Sequence, residues 1–240
     1  MTTIFAHRGA SGYAPENTLA SFALAVSMGA DGVEFDVQLS RDGIPVVIHD
    51  ETLQRTTGHD GMVQDLTAAE LGGLNASMGN TSYPGQSVPT LAAVLDLLAD
   101  APMTINIEIK NSAVLYPGLD DLVLRLIDEH QLRDRVIISS FNHITLARIH
   151  AVDPAIPLGL VFEDVLYEPW RYAQQVGASG VHPGLPYLKA EPDVVQASHA
   201  AGLDVRVWTV DEPADVDRLL AARVDGIFTN FPDRALERRG

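Results

Sequence analysis

The chain contains no cysteine. Disulfides, thiolate-type zinc sites and a cysteine nucleophile are therefore excluded, while the compartment stays open. Lysine is nearly absent as well: Lys110 and Lys189 stand against fourteen arginines. With a formal net charge of −16, no broad surface is suited to nucleic acid or an anionic membrane, although one small anionic ligand at a local positive site remains compatible. No apolar run approaches the ~18 residues of a membrane span. The opening MTTIFAHRG has neither an apolar signal core nor a small-residue cleavage site. A cytoplasmic protein without stable membrane association is the expectation. The dinucleotide signature G-x-G-x-x-G is also missing after the first candidate strand.

What is present suffices for a sizeable core. Of 240 residues, 46% are hydrophobic and 20% charged, which argues against disorder. A chain of this length buries roughly 70–75% of its unfolded surface. Short apolar runs at 3–7, 31–39, 103–110, 135–141, 156–162, 179–183, 204–210 and 225–230 read as strands. Helical periodicity fills most of the gaps. NTLASFALAVSMG places Leu19, Phe22, Ala23 and Val26 on one face, and DDLVLRLIDEHQL does the same with Leu122, Leu126 and Ile127. EPDVVQASHAAG and EPADVDRLLAARVDG both open on acidic residues and proline, a helix-start signal. MGADGVEF, VGASGVHP and RVDGIFTN each read as helix end, tight turn and strand, with Gly29 and Gly177 suited to left-handed caps.

Eight strands with intervening helices predict an α/β chain folded as a closed (β/α)8 TIM barrel. An open doubly wound sheet is the second arrangement. Residues 50–102 break the rhythm and are too long for an ordinary connection. They read as an insertion between the second and third barrel strands, within a single catalytic domain over 1–240.

The strand GVEFDV carries two acids on an otherwise apolar element. Side chains alternate along a strand, so Glu34 and Asp36 point one way and Val33, Phe35 and Val37 the other. In a barrel, one set faces the helices and the other the interior. INIEIK repeats the design, setting Asn106, Glu108 and Lys110 against Ile105, Ile107 and Ile109. Unpaired carboxylates converging on one cavity are costly. Two arrangements relieve them: a divalent cation, with oxygen ligands favouring Mg²⁺ or Ca²⁺, or a buried salt-bridge network using Lys110 and an arginine.

His7 and Arg8 end the first strand, and His49 and Asp50 end the extended piece PVVIHD. Histidines beside a carboxylate cluster suit proton transfer near neutrality. Arg8 suits either a phosphate or an ion pair with one of the acids. His182 can reach a cavity rim. His130, His143, His150 and His199 fall in helical or linker segments, and His59 in the insertion. YAPENTLASF, with Pro15, Glu16, Asn17 and Thr18, reads as a helix start, with capping as its first role and support of the site as the alternative. Phe141 and Trp208, at strand ends, either pack the core or wall a substrate's carbon chain.

Taken together, AHRGASGYAPENT, GADGVEFDVQLSRDGIPVVIHDETLQRTT, VPTL, NIEIK, SSF, GLDVRVWTV and DGIFTNFPD, from about residue 4 to 233, closely resemble the glycerophosphodiester phosphodiesterases. The resemblance implies a (β/α)8 barrel with a family insertion. It implies a divalent metal, Mg²⁺ or Ca²⁺, on Glu34, Asp36 and Glu108, with His7 and His49 as the acid–base pair and Arg8 and Lys110 on the phosphate. The implied reaction hydrolyses a small glycerophosphodiester to sn-glycerol 3-phosphate and an alcohol such as choline or ethanolamine. Many members carry Asn where this chain has Asp211, Asp where it has Asn142, and Glu just after PTL, where Ala92 and Ala93 stand here. None of these departures falls on the implied metal or acid–base positions. Lysophospholipase D-type enzymes on related barrels are the nearest alternative. A Schiff-base aldolase using Lys110 is a further one, in which the carboxylates and histidines have little to do. Oligomeric state is not specified.

Overall fold

The computed structural model describes residues 1–240. Nine strands form one sheet: β1 (Thr3–His7), β2 (Gly32–Leu39), β3 (Pro45–Val47), β4 (Thr104–Ile109), β5 (Val136–Ser140), β6 (Leu158–Phe162), β7 (Gly180–Pro183), β8 (Asp204–Val207) and β9 (Gly226–Thr229). Eight are parallel and in sequence around a ring, with β4 next to β2. β1 hydrogen-bonds both to β2 and to β9, so the ring closes and the open-sheet arrangement is ruled out. β3 stands apart, pairing antiparallel with the end of β2 through Val37↔Val47 and Leu39↔Pro45.

Eleven helices accompany the strands: α1 (Leu19–Ser27), α2 (Gln54–Thr57), α3 (Ala68–Gly72), α4 (Leu91–Leu98), α5 (Leu119–Glu129), α6 (His143–Val152), α7 (Pro169–Val176), α8 (Leu185–Ala190), α9 (Val194–Ala200), α10 (Pro213–Ala222) and α11 (Pro232–Arg239). No helix is long and apolar enough to cross a membrane. Gly29 and Gly177 both take the left-handed conformation after α1 and α7, as their places in the sequence predict.

Strand alternation sorts the two sides of the barrel. Val33, Phe35, Val37, Ile105, Ile107 and Ile109 are buried in the main core, between strands and helices. Inside, Phe5 and Phe228 stack at 4.9 Å with Ile137 beside them. Phe5 fits because Gly32 lacks a Cβ, which would lie 2.5 Å from its ring. Phe5 is two residues before His7 on the same face of β1, so this aromatic layer lies beneath the residues that end β1.

One helical face differs from its sequence pattern. α1 buries Ser21, Phe22 and Ala25, while Leu19, Ala23 and Val26 are exposed. The cause is a close approach at the start of the helix. Ser21 Oγ donates to the Arg8 carbonyl at 3.0 Å, and a Cβ on Gly9 would stand 2.4 Å from that oxygen. Small residues therefore face the β1–α1 turn, and larger ones rotate outward.

Between β3 and β4 the chain passes through α2, a short 3₁₀ turn at Val63–Asp65, α3 and α4. Val46, Ile48, Leu53, Val63, Leu71, Ala76 and Val88 form a small separate core there. α4 packs beside α1 in the helical layer around the barrel.

Candidate active site

The parallel strands all point their C-terminal ends to one mouth, and a cavity of about 360 Å³ opens there. His7, Arg8, Glu34, Asp36, His49, Glu108, Lys110, Phe141 and Trp208 all line it. β1 delivers His7 and Arg8, β2 the two acids, β3 leads to His49, and β4 delivers Glu108 and Lys110. Neighbouring strands are in register at Asp36↔Glu108, which sets the carboxylates side by side.

One oxygen from each of Glu34, Asp36 and Glu108 lies within 4.8 Å of the others. Arg8 turns around this cluster. Its backbone, in the left-handed region at φ 55°, aims its amide at Glu34 Oε2, 3.0 Å away. Its Nε lies 3.3 Å from Asp36 Oδ2, and its Nη1 donates to Glu16 at 3.0 Å. Lys110 Nζ lies 3.2 Å from Glu108 and 3.9 Å from Asp36. Asn17 donates to Asp36 Oδ2 at 2.9 Å.

These contacts are unevenly shared. Burial works against ionised Asp36, but Arg8, His49, Lys110 and Asn17 outweigh it and hold the group at about 2. Burial, Asp36 and Glu108 push Glu34 well above the ordinary carboxylate range. Burial also raises Glu108 in spite of Lys110. Burial lowers Lys110, yet Glu108 and Asp36 prevail and favour its ammonium form. The salt-bridge network weighed from the sequence thus exists, but it leaves Glu34 with only an amide at 3.0 Å and an imidazole at 3.9 Å. A divalent cation fits this donor set: three hard oxygens, two of them held toward the neutral state by burial and by the neighbouring carboxylates.

Both imidazoles have their tautomers set from behind. His49 Nδ1 lies 2.6 Å from Asp50 Oδ1, so Nδ1 carries the proton and Nε2 accepts from Lys110 at 3.3 Å. His7 Nδ1 lies 2.8 Å from Asn230 Oδ1. Asp211 accepts from Asn230 Nδ2 at 2.6 Å, which turns the amide oxygen toward His7. His7 therefore keeps its proton on Nδ1 and turns Nε2 toward Glu34. Burial first, then Arg8, lowers His7 to about 4, so its ring is neutral at pH 7.

The sequence assigns no site role to Asn230, Asp211 or Arg55, and leaves Glu16 between capping α1 and supporting the site. Arg55 bridges Glu16 at 2.8 Å and Asp50 at 2.6 Å. PENT, HDETLQRTT and FTNFPD, which hold Glu16, Arg55 and Asn230, were the available signal, and Asp211 directly follows VWTV. Thr18 forms the capping box of α1 with Ser21, while Asn17 beside it reaches the acids. The stretch thus both caps the helix and supports the cavity.

The other half of the mouth carries the aromatic side chains. Phe141 and Trp208 meet edge to face at 5.6 Å, and Trp208 Nε1 donates to the His182 carbonyl at 2.8 Å. His182 lines the cavity, as its place at a strand end predicts, but from its depth: it is 1% exposed, with its ring filling the space left by Gly159. His59, His130, His143, His150 and His199 all lie outside the cavity lining.

Fixed cations suit the nonbridging oxygens of an anionic diester, and imidazoles with free Nε2 atoms suit its proton transfers. Such a site suits a phosphoric diester hydrolase. Comparison with known proteins narrows the class: the profile of the Glycerophosphoryl diester phosphodiesterase family matches residues 7–234, and the chain belongs to that family. It is 42% identical over 233 residues to a glycerophosphodiester phosphodiesterase of Caldanaerobacter subterraneus subsp. tengcongensis, covering 97% of this chain and 95% of that protein. It is 43% identical over 241 residues to one of Bacillus altitudinis, covering 100% and 98%. Among solved structures, a phosphodiesterase of Oleispira antarctica in complex with the product sn-glycerol-3-phosphate superposes with a TM-score of 0.89 at 30% identity, over 99% of this chain and 96% of that one.

Proposed function

We propose that this chain hydrolyses glycerophosphodiesters to sn-glycerol 3-phosphate and an alcohol, with a divalent metal, Mg²⁺ or Ca²⁺, on Glu34, Asp36 and Glu108. The observation that carries the reading is the placing of His7 and His49, each with its tautomer set, around a carboxylate cluster short of positive charge. The metal, when bound, supplies charge neutralisation at the phosphate oxygens. Arg8 and Lys110 add fixed positive charge on the same side. One imidazole, neutral, takes the proton of the attacking hydroxyl at Nε2, and the other enters the step as an imidazolium, protonated at both ring nitrogens, and gives its Nε2 proton to the leaving alkoxide. Asp50 and Asn230 hold the Nδ1 protons while this happens. Phe141 and Trp208 wall the substrate and exclude water.

The ammonium form of Lys110 favours this reading over a Schiff-base aldolase, which needs a free amine. We further propose that residues 1–240 act as one catalytic domain, with 50–102 an insertion whose first turn braces the site through Arg55.

The test is glycerol 3-phosphate release from glycerophosphocholine by EDTA-stripped protein, with and without Mg²⁺ or Ca²⁺. Metal-restored release is the expected result. Release that ignores metal would remove the cation from the site, and turnover of lysophosphatidylcholine alone would move the enzyme to lysolipids.

A further inference from the structure

Charge is divided around the mouth. Going round the ring, Arg8 follows β1, Glu34 and Asp36 lie on β2, Glu108 lies on β4 and Lys110 follows it. Phe141, Glu163 and Trp208 follow β5, β6 and β8. Glu163 is exposed and lines the cavity, and its carboxylate forms no hydrogen bond or ion pair. Every other carboxylate lining the cavity is engaged with a cation or lies in the acid cluster. Glu163 thus sits alone on the aromatic side, between Phe141 and Trp208 in ring order.

The aromatic pair is fixed rather than loose. Trp208 is pinned through Nε1, and Phe141 meets it at an interplanar angle of 81°. Lys110 Nζ takes one side of the Phe141 ring, 5.7 Å from its centroid. Of this pair, the indole is the surface left for a ligand. Indole faces attract cations, and a free carboxylate nearby adds to that attraction.

Resting on the phosphodiesterase reading above, we propose that Glu163 is a specificity-determining residue for the alcohol half of the substrate. With Trp208, it selects diesters whose alcohol carries a positive charge over diesters of neutral alcohols. A phosphate held by Arg8 and Lys110 puts a short cationic alcohol within reach of the opposite wall. The charges of such a zwitterionic substrate are then complementary to those of the site: its anion meets the cationic half and its cation meets Glu163. A neutral polyol gains the phosphate contacts alone.

The experiment compares glycerophosphocholine with the neutral diester glycerophosphoglycerol, using the metal-loaded protein. In Glu163→Gln the ratio of kcat/KM, choline over glycerol ester, should fall roughly fivefold, and Glu163→Lys should lower it further. The wild-type ratio should shrink with added salt, because Glu163 is exposed to screening. Calorimetric titration of both diesters into His49→Ala and His49→Ala/Glu163→Gln separates this proposal from the reaction itself. Turnover with an unmoved ratio overturns the role of Glu163 and leaves the reaction standing. No turnover, with choline-ester binding weakened by Glu163→Gln, overturns the reaction and leaves this role. Equal binding of the two diesters to both proteins overturns it as well.

Discussion

Asn230 Oδ1 stands 2.8 Å from His7 Nδ1 across 223 residues of sequence, and Asp211 decides that the oxygen rather than the amide nitrogen faces the ring. Asp211 Oδ1 also accepts from the Asn230 backbone amide at 2.8 Å, so the relay is held at both ends. Asn230→Leu keeps the volume and removes the acceptor. It should lower kcat about 10- to 100-fold through loss of the His7 tautomer, with KM changed less. Asp211→Asn preserves an acceptor and should stay within about threefold of the parent, whereas Asp211→Leu should follow Asn230→Leu. Steady-state kinetics on all three decides it: equal losses in Asp211→Asn and Asp211→Leu would dismiss the relay.

His7→Ala and His49→Ala should each cost about 10²- to 10⁴-fold in kcat. Thermal melting should show both variants folded, since neither ring lies in the main core. A near-normal rate in either would remove that histidine from the chemistry.

Glu34→Gln and Glu108→Gln should each weaken Mg²⁺ or Ca²⁺ binding by roughly tenfold or more, because each deletes a charged oxygen ligand. Calorimetry reads this without reference to turnover. Metal added to the stripped parent should also raise its melting temperature, as any ligand selective for the folded state does. Unaltered affinity in both variants would dissolve the ligand assignment.

His182 gives a pH dependence of stability. Burial, then Arg206, keeps its pKa well below 6.5 in the folded protein. The unfolded chain therefore binds the extra proton as pH drops below about 6.5, and folded stability falls with it. The limiting slope for one such group is about 1.4 kcal/mol per pH unit. His182→Gln should shrink the difference in urea-unfolding free energy between about pH 7 and about pH 5.5 by about 1 kcal/mol. An identical difference in parent and variant would show that His182 titrates alike in both states.

The strands were readable because a parallel barrel buries both faces of each one, so eight apolar runs stand out between helical periods. The convergence of Glu34, Asp36, Glu108 and Lys110 on one cavity was readable too, because alternation is a property of any extended chain. The α1 face was not, since Gly9 and Ser21 set the approach of that helix and no periodicity records a contact between a turn and a helix.

By itself, the amino-acid order determined which side chains share a face, where strands and helices alternate, and which residue types were at hand for phosphate and metal chemistry. These follow from local geometry, which each segment carries alone. Only the tertiary structure decided what stands behind each catalytic candidate: Asp50 with Arg55 behind His49, Asn230 and Asp211 behind His7, and a solitary Glu163 across the mouth. Ring closure between β1 and β9 brings the two ends of the chain together, and hydrogen-bond partners so far apart in sequence acquire their distance and orientation only then.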